Sequence, residues 1–304
     1  MTTLESLLPT RIKESLRRSR INVTNSGGSD FAGQYVSLFK GIGLNFTELR
    51  EYSAGDDIRR IDWKSSARSD RVYVKSYEEE RQLHIITCVD ISSSISHCFS
   101  PTHHMQTVQS AASLAYLARE SHDDFGLSFF SDTPLTVLEP SSKKAHWHKI
   151  AQVLGALNSF SYPSVQKRSS TDFTAVTTLL RNRLRRPSII FIISDFITSN
   201  SDNIRDCLKA VGAPHKVICM HITPSVESWL PKTGITRVID AESGEFRTIN
   251  TSSQKMRLFL MQEQLKHREK IASICAAHRG TTYVGLQDDI GQSLMKFLRR
   301  TSLK

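Results

Sequence analysis

From His84 onward, short β-branched runs alternate with amphipathic stretches of 12 to 25 residues. The runs HIITCVD (84–90), FGLSFFS (125–131), PSIIFIISD (187–195), HKVICMHI (215–222) and TTYVGL (281–286) are strand-sized. Several are apolar almost throughout, as expected of strands buried on both faces. Helical periodicity falls between them, near 104–121, 144–158, 173–185, 201–212 and 252–278. The alternation predicts an α/β fold in which a mostly parallel sheet carries helices on both faces. Residues 234–250, GITRVIDAESGEFRTIN, change to period-2 alternation around a Ser-Gly turn. They predict a β-hairpin inserted before the long helix, as an antiparallel edge strand or flap.

Residues 1–83 read differently, with more glycine, alternating charge and short apolar segments such as YVSLF, LNFTEL and RVYVKSY. They predict a small β-rich layer with a boundary near residue 83, and residues 84–304 form the α/β domain. The opening residues, MTTLESLLPTRIKESLRRSR, suggest a short amphipathic helix carrying Leu4, Leu7, Leu8 and Ile12. They lack the basic-then-apolar order of a secretion signal, and no apolar run reaches the roughly 18 residues that span a bilayer. The expectation is a cytoplasmic chain without a membrane span.

Composition adds exclusions. With 304 residues, 39% hydrophobic and 23% charged, the chain can bury an ordinary globular core without disulfides or a structural metal. The cysteines Cys88, Cys98, Cys207, Cys219 and Cys275 are odd in number, scattered and without a CxxC pair, and read as buried thiols. The net charge of +10 divides unevenly: the excess of Lys and Arg is two in residues 1–83, two in 84–250 and six in 251–304. The C-terminal charges alternate with apolar positions as on a solvated helix face, without interleaved aromatics for base stacking, so nucleic-acid binding is the lesser reading of them.

Three polar clusters close predicted strands or open predicted helices. They are Asp90-Ile-Ser92-Ser93-Ser94, then Ser170-Thr171-Asp172, then Ser194-Asp195 at the end of the most hydrophobic strand. In open parallel sheets, ligands bind at the carboxyl ends of the strands, where the strand order reverses. The clusters supply only hydroxyls and carboxylates, and hard divalent cations choose oxygen ligands. Asp90, Ser92, Ser94, Thr171 and Asp195 are therefore candidate ligands for Mg²⁺, or for Mn²⁺ or Ca²⁺. Any one cluster could instead cap a helix. Three of them at the ends of one sheet favour a metal site, with an open position that an acidic side chain of another protein would complete.

The string Asp90-x-Ser92-x-Ser94, with Thr171 and Asp195 downstream, resembles the metal-ion-dependent adhesion site of von Willebrand factor A domains. The wider text resembles domain-of-unknown-function family 58 of bacterial proteins: GIGLNFTELREYSAGDDIRRIDWKSSAR (41–68), RVYVKSYEEER (71–81), VDISSSI (89–95), IISDF (192–196) and VIDAESGE (238–245). The resemblance implies a von Willebrand factor A-like domain without established catalysis, associated with MoxR-type AAA+ ATPases in a chaperone-like or assembly role. It further implies that Ser92, Ser94 and Thr171 ligate directly while Asp90 and Asp195 act mainly through water. The second loop reads Arg-Ser-Ser-Thr171-Asp172, where the family usually has glycine before threonine, which leaves Thr171 and Asp172 both open as its ligand.

The remaining conspicuous residues read more plainly. Asp56, Asp57, Arg59, Arg60, Asp62, Trp63 and Lys64 can satisfy one another as an ion network around a packed Trp63, and Glu78-Glu79-Glu80-Arg81 suits a solvated strand edge. His103-His104 and His146-Trp147-His148 lack metal-ligand spacing and read as helix-surface histidines. Gly41 and Gly43 lack the third glycine of a dinucleotide loop, and no GxxxxGK[ST] occurs. No GxSxG elbow is present, and no histidine is placed by sequence to activate Ser92 or Ser94. A metal-dependent hydrolase or phosphatase therefore stands behind a non-catalytic interaction module.

Overall fold

The computed structural model describes residues 3–14, 47–52, 66, 71–77, 83–96, 102–158, 170–181, 183–184, 186–239 and 246–302. The central sheet has six strands: β3 (His84–Asp90), β4 (Asp124–Phe130), β5 (Pro134–Ser141), β6 (Ile189–Ser194), β7 (Lys216–Ile222) and β10 (Thr281–Leu286). Their spatial order is β10-β7-β6-β3-β4-β5. Every neighbouring pair is parallel except β4 with β5, an antiparallel hairpin at one edge. At that hairpin the Pro140 ring lies over Gly126, where a Cβ would stand 2.8 Å from the proline Cγ. Two antiparallel pairs lie outside this sheet: β1 (Thr47–Glu51) with β2 (Tyr73–Tyr77), and β8 (Ile235–Ile239) with β9 (Phe246–Asn250).

The helices are α1 (Ser93–Ser96), α2 (Thr102–Glu120), α3 (Lys144–Asn158), α4 (Phe173–Arg181), α5 (Asp202–Val211), α6 (Val226–Trp229), α7 (Gln254–Ala276) and α8 (Ile290–Ser302). They divide between the two faces of the sheet, and strand alternation sends successive side chains to different partners. Ile85, Val89, Phe191, Ile193 and Met220 join α2, α3 and α8 in one core. Ile86, Cys88, Ile190, Ile192 and Cys219 join α4, α5 and α7 in the other. Burial on both faces is the reason the strands read as unbroken apolar runs, and it makes this the expected α/β arrangement of a mostly parallel sheet with helices on both sides.

Residues Leu4–Leu7 form a 3-10 turn closed by a capping box between Thr3 and Ser6. This turn packs against α2 and α3, and Leu4, Leu8 and Ile12 are buried in the first core, so the start of the chain completes the α/β layer. Among the described residues, no helix is long and apolar enough to cross a membrane.

The paired histidines correct the surface reading. His103 and His104 are buried in α2, and a ring nitrogen of His104 donates to the Leu157 carbonyl at 2.8 Å. Burial pushes His103 down to about 4, so it is neutral at physiological pH. His146 is half-buried and bonds the Phe125 carbonyl. Cys88, Cys207, Cys219 and Cys275 are buried thiols, while Cys98 lies outside the described residues. So do Gly41, Gly43, the segment 55–64, Glu78-Glu79-Glu80-Arg81 and the hairpin turn 240–245.

Candidate functional site

The chain leaves β3 for β4 on one side of the sheet and later returns to β6 on the other, so the strand order reverses between β3 and β6. Loops diverge at such a point and leave a crevice beyond the strand ends. Asp90 is the last residue of β3 and Ser194 the last of β6, and the pairing of Val89 with Ile193 sets them side by side.

Four of the expected residues meet there. Asp90 Oδ1 accepts the Ser92 backbone N–H at 2.8 Å. Thr171 Oγ1 lies 2.8 Å from Ser92 Oγ and 3.4 Å from Asp90 Oδ2. Ser92 Oγ and Ser94 Oγ are 3.1 Å apart. A fifth residue, Ser194, donates to Asp90 Oδ2 at 2.6 Å and accepts the Phe196 N–H at 2.8 Å. The cluster thus draws on three loops distant in sequence, joined by hydrogen bonds through Asp90.

Asp195 sits one residue beyond Ser194, is buried, and reaches its own loop and α7. Its Oδ1 accepts the Ile197 N–H at 3.0 Å, and its carbonyl accepts from His267 at 3.0 Å. Asp172 departs further: its Oδ1 takes the Thr174 N–H and the Asn203 amide, capping α4 and tying it to α5. The second loop therefore turns Thr171 into the cluster and Asp172 away from it. Ser194 belongs to the third polar cluster of the sequence but not to the expected ligands, because a single hydroxyl ending an apolar strand carries no spacing signal. Its register beside Asp90 appears only once the two strands are paired.

Asp90, Ser92 and Ser194 are all 0% exposed, Thr171 is buried, and Ser94 is half-buried. Burial pushes the Asp90 carboxyl above the usual carboxylate range, against the hydrogen bonds from Ser194, Ser92 and Thr171 that pull it down. Among the described residues no lysine or arginine pairs with it. An aromatic wall excludes water on one side: Phe173 packs 5.7 Å from Phe130 and stacks on Phe196 at 5.4 Å, and Phe196 meets His221 edge-on at 5.5 Å. His221 is itself buried against His267 and Tyr283. Burial, with the charges of His267 and Arg268, holds His221 well below its ordinary range, so it is a neutral packing group.

The donor set is oxygen only: two carboxylates and four hydroxyls counting Ser194. A buried carboxylate with no cationic side chain beside it is costly to ionise alone. A hard divalent cation is the counter-ion that such donors fit. Among the described residues there is no group of three or more His, Cys, Asp or Glu that could take a metal, and this set differs in being mostly hydroxyl.

The family model described as protein of unknown function DUF58 matches residues 48–270. The chain belongs to the DUF58 family. Relatives in Mycobacterium bovis and Mycobacterium tuberculosis, both described as uncharacterized proteins, are 25% identical over 270 residues, covering 88% of this chain and 79% of theirs. Among solved structures, this DUF58 chain is similar to the conserved hypothetical protein BatB from Bacteroides thetaiotaomicron, at 15% identity and a TM-score of 0.43, over 71% of this chain and 99% of that one. It is also similar to a von Willebrand factor type A protein from Catenulispora acidiphila, at 11% identity and a TM-score of 0.40, over 76% of this chain and 44% of that one.

Proposed function

We propose that this DUF58 protein is a non-catalytic, cytoplasmic interaction module that holds a divalent cation, Mg²⁺ or a similar ion, at the β3–β6 switch point and captures an acidic residue of a partner protein. The observation that carries the reading is Asp90: fully buried, ringed by hydroxyls from three loops, and without a positive side chain among the described residues. Asp90, Ser92, Ser94 and Thr171 would hold the ion. Ser194 would orient the Asp90 carboxylate from the neighbouring strand, and Asp195 would contribute its charge from the next position. The bound ion supplies an electrophilic position for an incoming carboxylate. Ser94 is the least buried of the hydroxyls, which favours approach from its side. A non-catalytic role is favoured because the Ser92 hydroxyl is engaged by Thr171 and Ser94, which ties it into the oxygen cluster. The partner proposed is a MoxR-type AAA+ ATPase or its client, on the motif resemblance.

Two measurements test this. Mg²⁺ at a hundredfold excess over its Kd should stabilise the protein by about 2.7 kcal/mol, a rise in Tm of several degrees, and EDTA should reverse it. Asp90→Ala should abolish that rise and also the Mg²⁺-dependent capture of the ATPase, while the variant still melts cooperatively. Equal capture by Asp90→Ala, or with EDTA present, would sink the metal bridge.

A further inference from the structure

The first half of α7 is apolar on the side that faces solvent. Its packing side is formed by Arg257, Leu260, Gln264, His267, Ile271 and Ile274, all buried or half-buried, as helical spacing demands. On the opposite side Leu258, Phe259 and Leu265 are 51%, 55% and 52% exposed. These three residues cluster on one helix where single exposed leucines would be unremarked. Lys255, Leu258, Gln262, Leu265 and Glu269 follow the alternating three- and four-residue spacing that keeps side chains on one seam for pairing with another helix. Phe259 and Lys266 flank that seam.

The charges select the occupant. Lys255 and Glu269 are exposed at the two ends of the seam, equidistant in sequence from Gln262, and neither has an ion-pair partner among the described residues. A two-fold axis through Gln262 brings Lys255 of one copy opposite Glu269 of the other, twice. It also brings Phe259 opposite Leu265, and Leu258 against the aliphatic stem of Lys266. Such an isologous, antiparallel arrangement matches a patch to itself, charges included. A parallel arrangement would instead set Lys255 against Lys255. We infer that the exposed face of α7 is the seam of a homodimer in which two copies of this chain pair antiparallel through Leu258, Phe259 and Leu265, with Lys255–Glu269 bridges at both ends. The seam lies on the side of α7 opposite His267, which bonds the Asp195 carbonyl, so the dimer and the cation reading stand or fall separately.

Light scattering of the full chain, from low to high micromolar concentration, reads the inference directly. The expected result is a dimer that Leu265→Asp converts to monomer at every concentration, with a thermal melt equal to that of wild type diluted until it is monomeric, because the side chain is exposed in the single chain. Lys255→Glu and Glu269→Lys should each weaken dimerisation at least tenfold, and the double variant should restore it, since the swapped charges again meet. Gln262→Cys, on the axis, should form a disulfide-linked dimer under mild oxidant where wild type does not. The inference is overturned by a wild type that stays monomeric throughout, by a dimer that survives Leu265→Asp, or by a charge swap that fails to restore association. It is equally overturned if Leu265→Asp melts below wild type at dilutions where both are monomeric, which would mean that the chain covers this face itself.

Discussion

Phe196 holds a left-handed backbone, φ 54°, immediately after the two acidic-loop residues Ser194 and Asp195. A residue with a Cβ pays roughly 1–2 kcal/mol for that conformation, and glycine does not. The Phe196 N–H bond to Ser194 and the ring stack on Phe173 hold it there. Phe196→Ala should therefore lose about 3–5 kcal/mol of stability, whereas Phe196→Gly should lose about 1 kcal/mol less, reversing the usual order of the two residues. Urea denaturation of both variants measures this, and an alanine variant as stable as the glycine one would show the backbone to be unstrained. Asp123 gives a second prediction. It is buried, its Oδ1 accepts the Leu83 N–H at 2.9 Å, and its Oδ2 has no hydrogen-bond partner among the described residues. Burial, with the charge of Asp124 adding, pushes its pKa up to about 7, against the Leu83 bond. The folded chain then keeps a proton that the unfolded chain has shed, so stability is fullest below the ordinary carboxylate range and falls as pH rises towards 7. Asp123→Asn should flatten that fall and raise the urea midpoint at pH 8 relative to wild type, with little change at pH 4.

At the scale of elements, helical and strand periods named the major pieces correctly wherever burial was one-sided or complete. The strands at 84–90 and 281–286 and the helix at 144–158 fall where the pattern places them. What escaped was β5, PLTVLEPS, because prolines at Pro134 and Pro140 argue against a strand unless it lies at an edge, and only the sheet order reveals that it does. The histidines of α2 escaped for a related reason. A polar residue reads as exposed until a partner such as the Leu157 carbonyl is seen to satisfy it. The N-terminal turn carries its own prediction. Leu8 is 3% exposed within the core beneath α2 and α3, so Leu8→Ala should cost about 2–5 kcal/mol, while Glu5→Ala, at the surface pair with Arg119, should cost under about 1 kcal/mol. A Leu8 variant with an unchanged urea midpoint would mean that this segment is not part of the cooperative core.

Across the whole molecule, one topological fact organises the rest: β3 and β6 are neighbours whose connections run to opposite sides of the sheet. That places Asp90 and Ser194 together beyond the strand ends, where Thr171 arrives from a third loop. The seam on α7 is a property of this scale too, since it exists only because the other side of the helix is committed to the core. The amino-acid pattern alone determined the class of fold, the two-faced burial of the sheet and the oxygen-only chemistry of the candidate site, because periodicity and residue type act locally and leave their mark in the string. Tertiary structure decided which hydroxyls meet: Ser194 joins Asp90 while the Asp195 carboxylate bonds its own loop, and Thr171 turns inward while Asp172 caps a helix. Strand register and loop direction make those choices, and both depend on contacts between residues about a hundred positions apart, which no local pattern encodes.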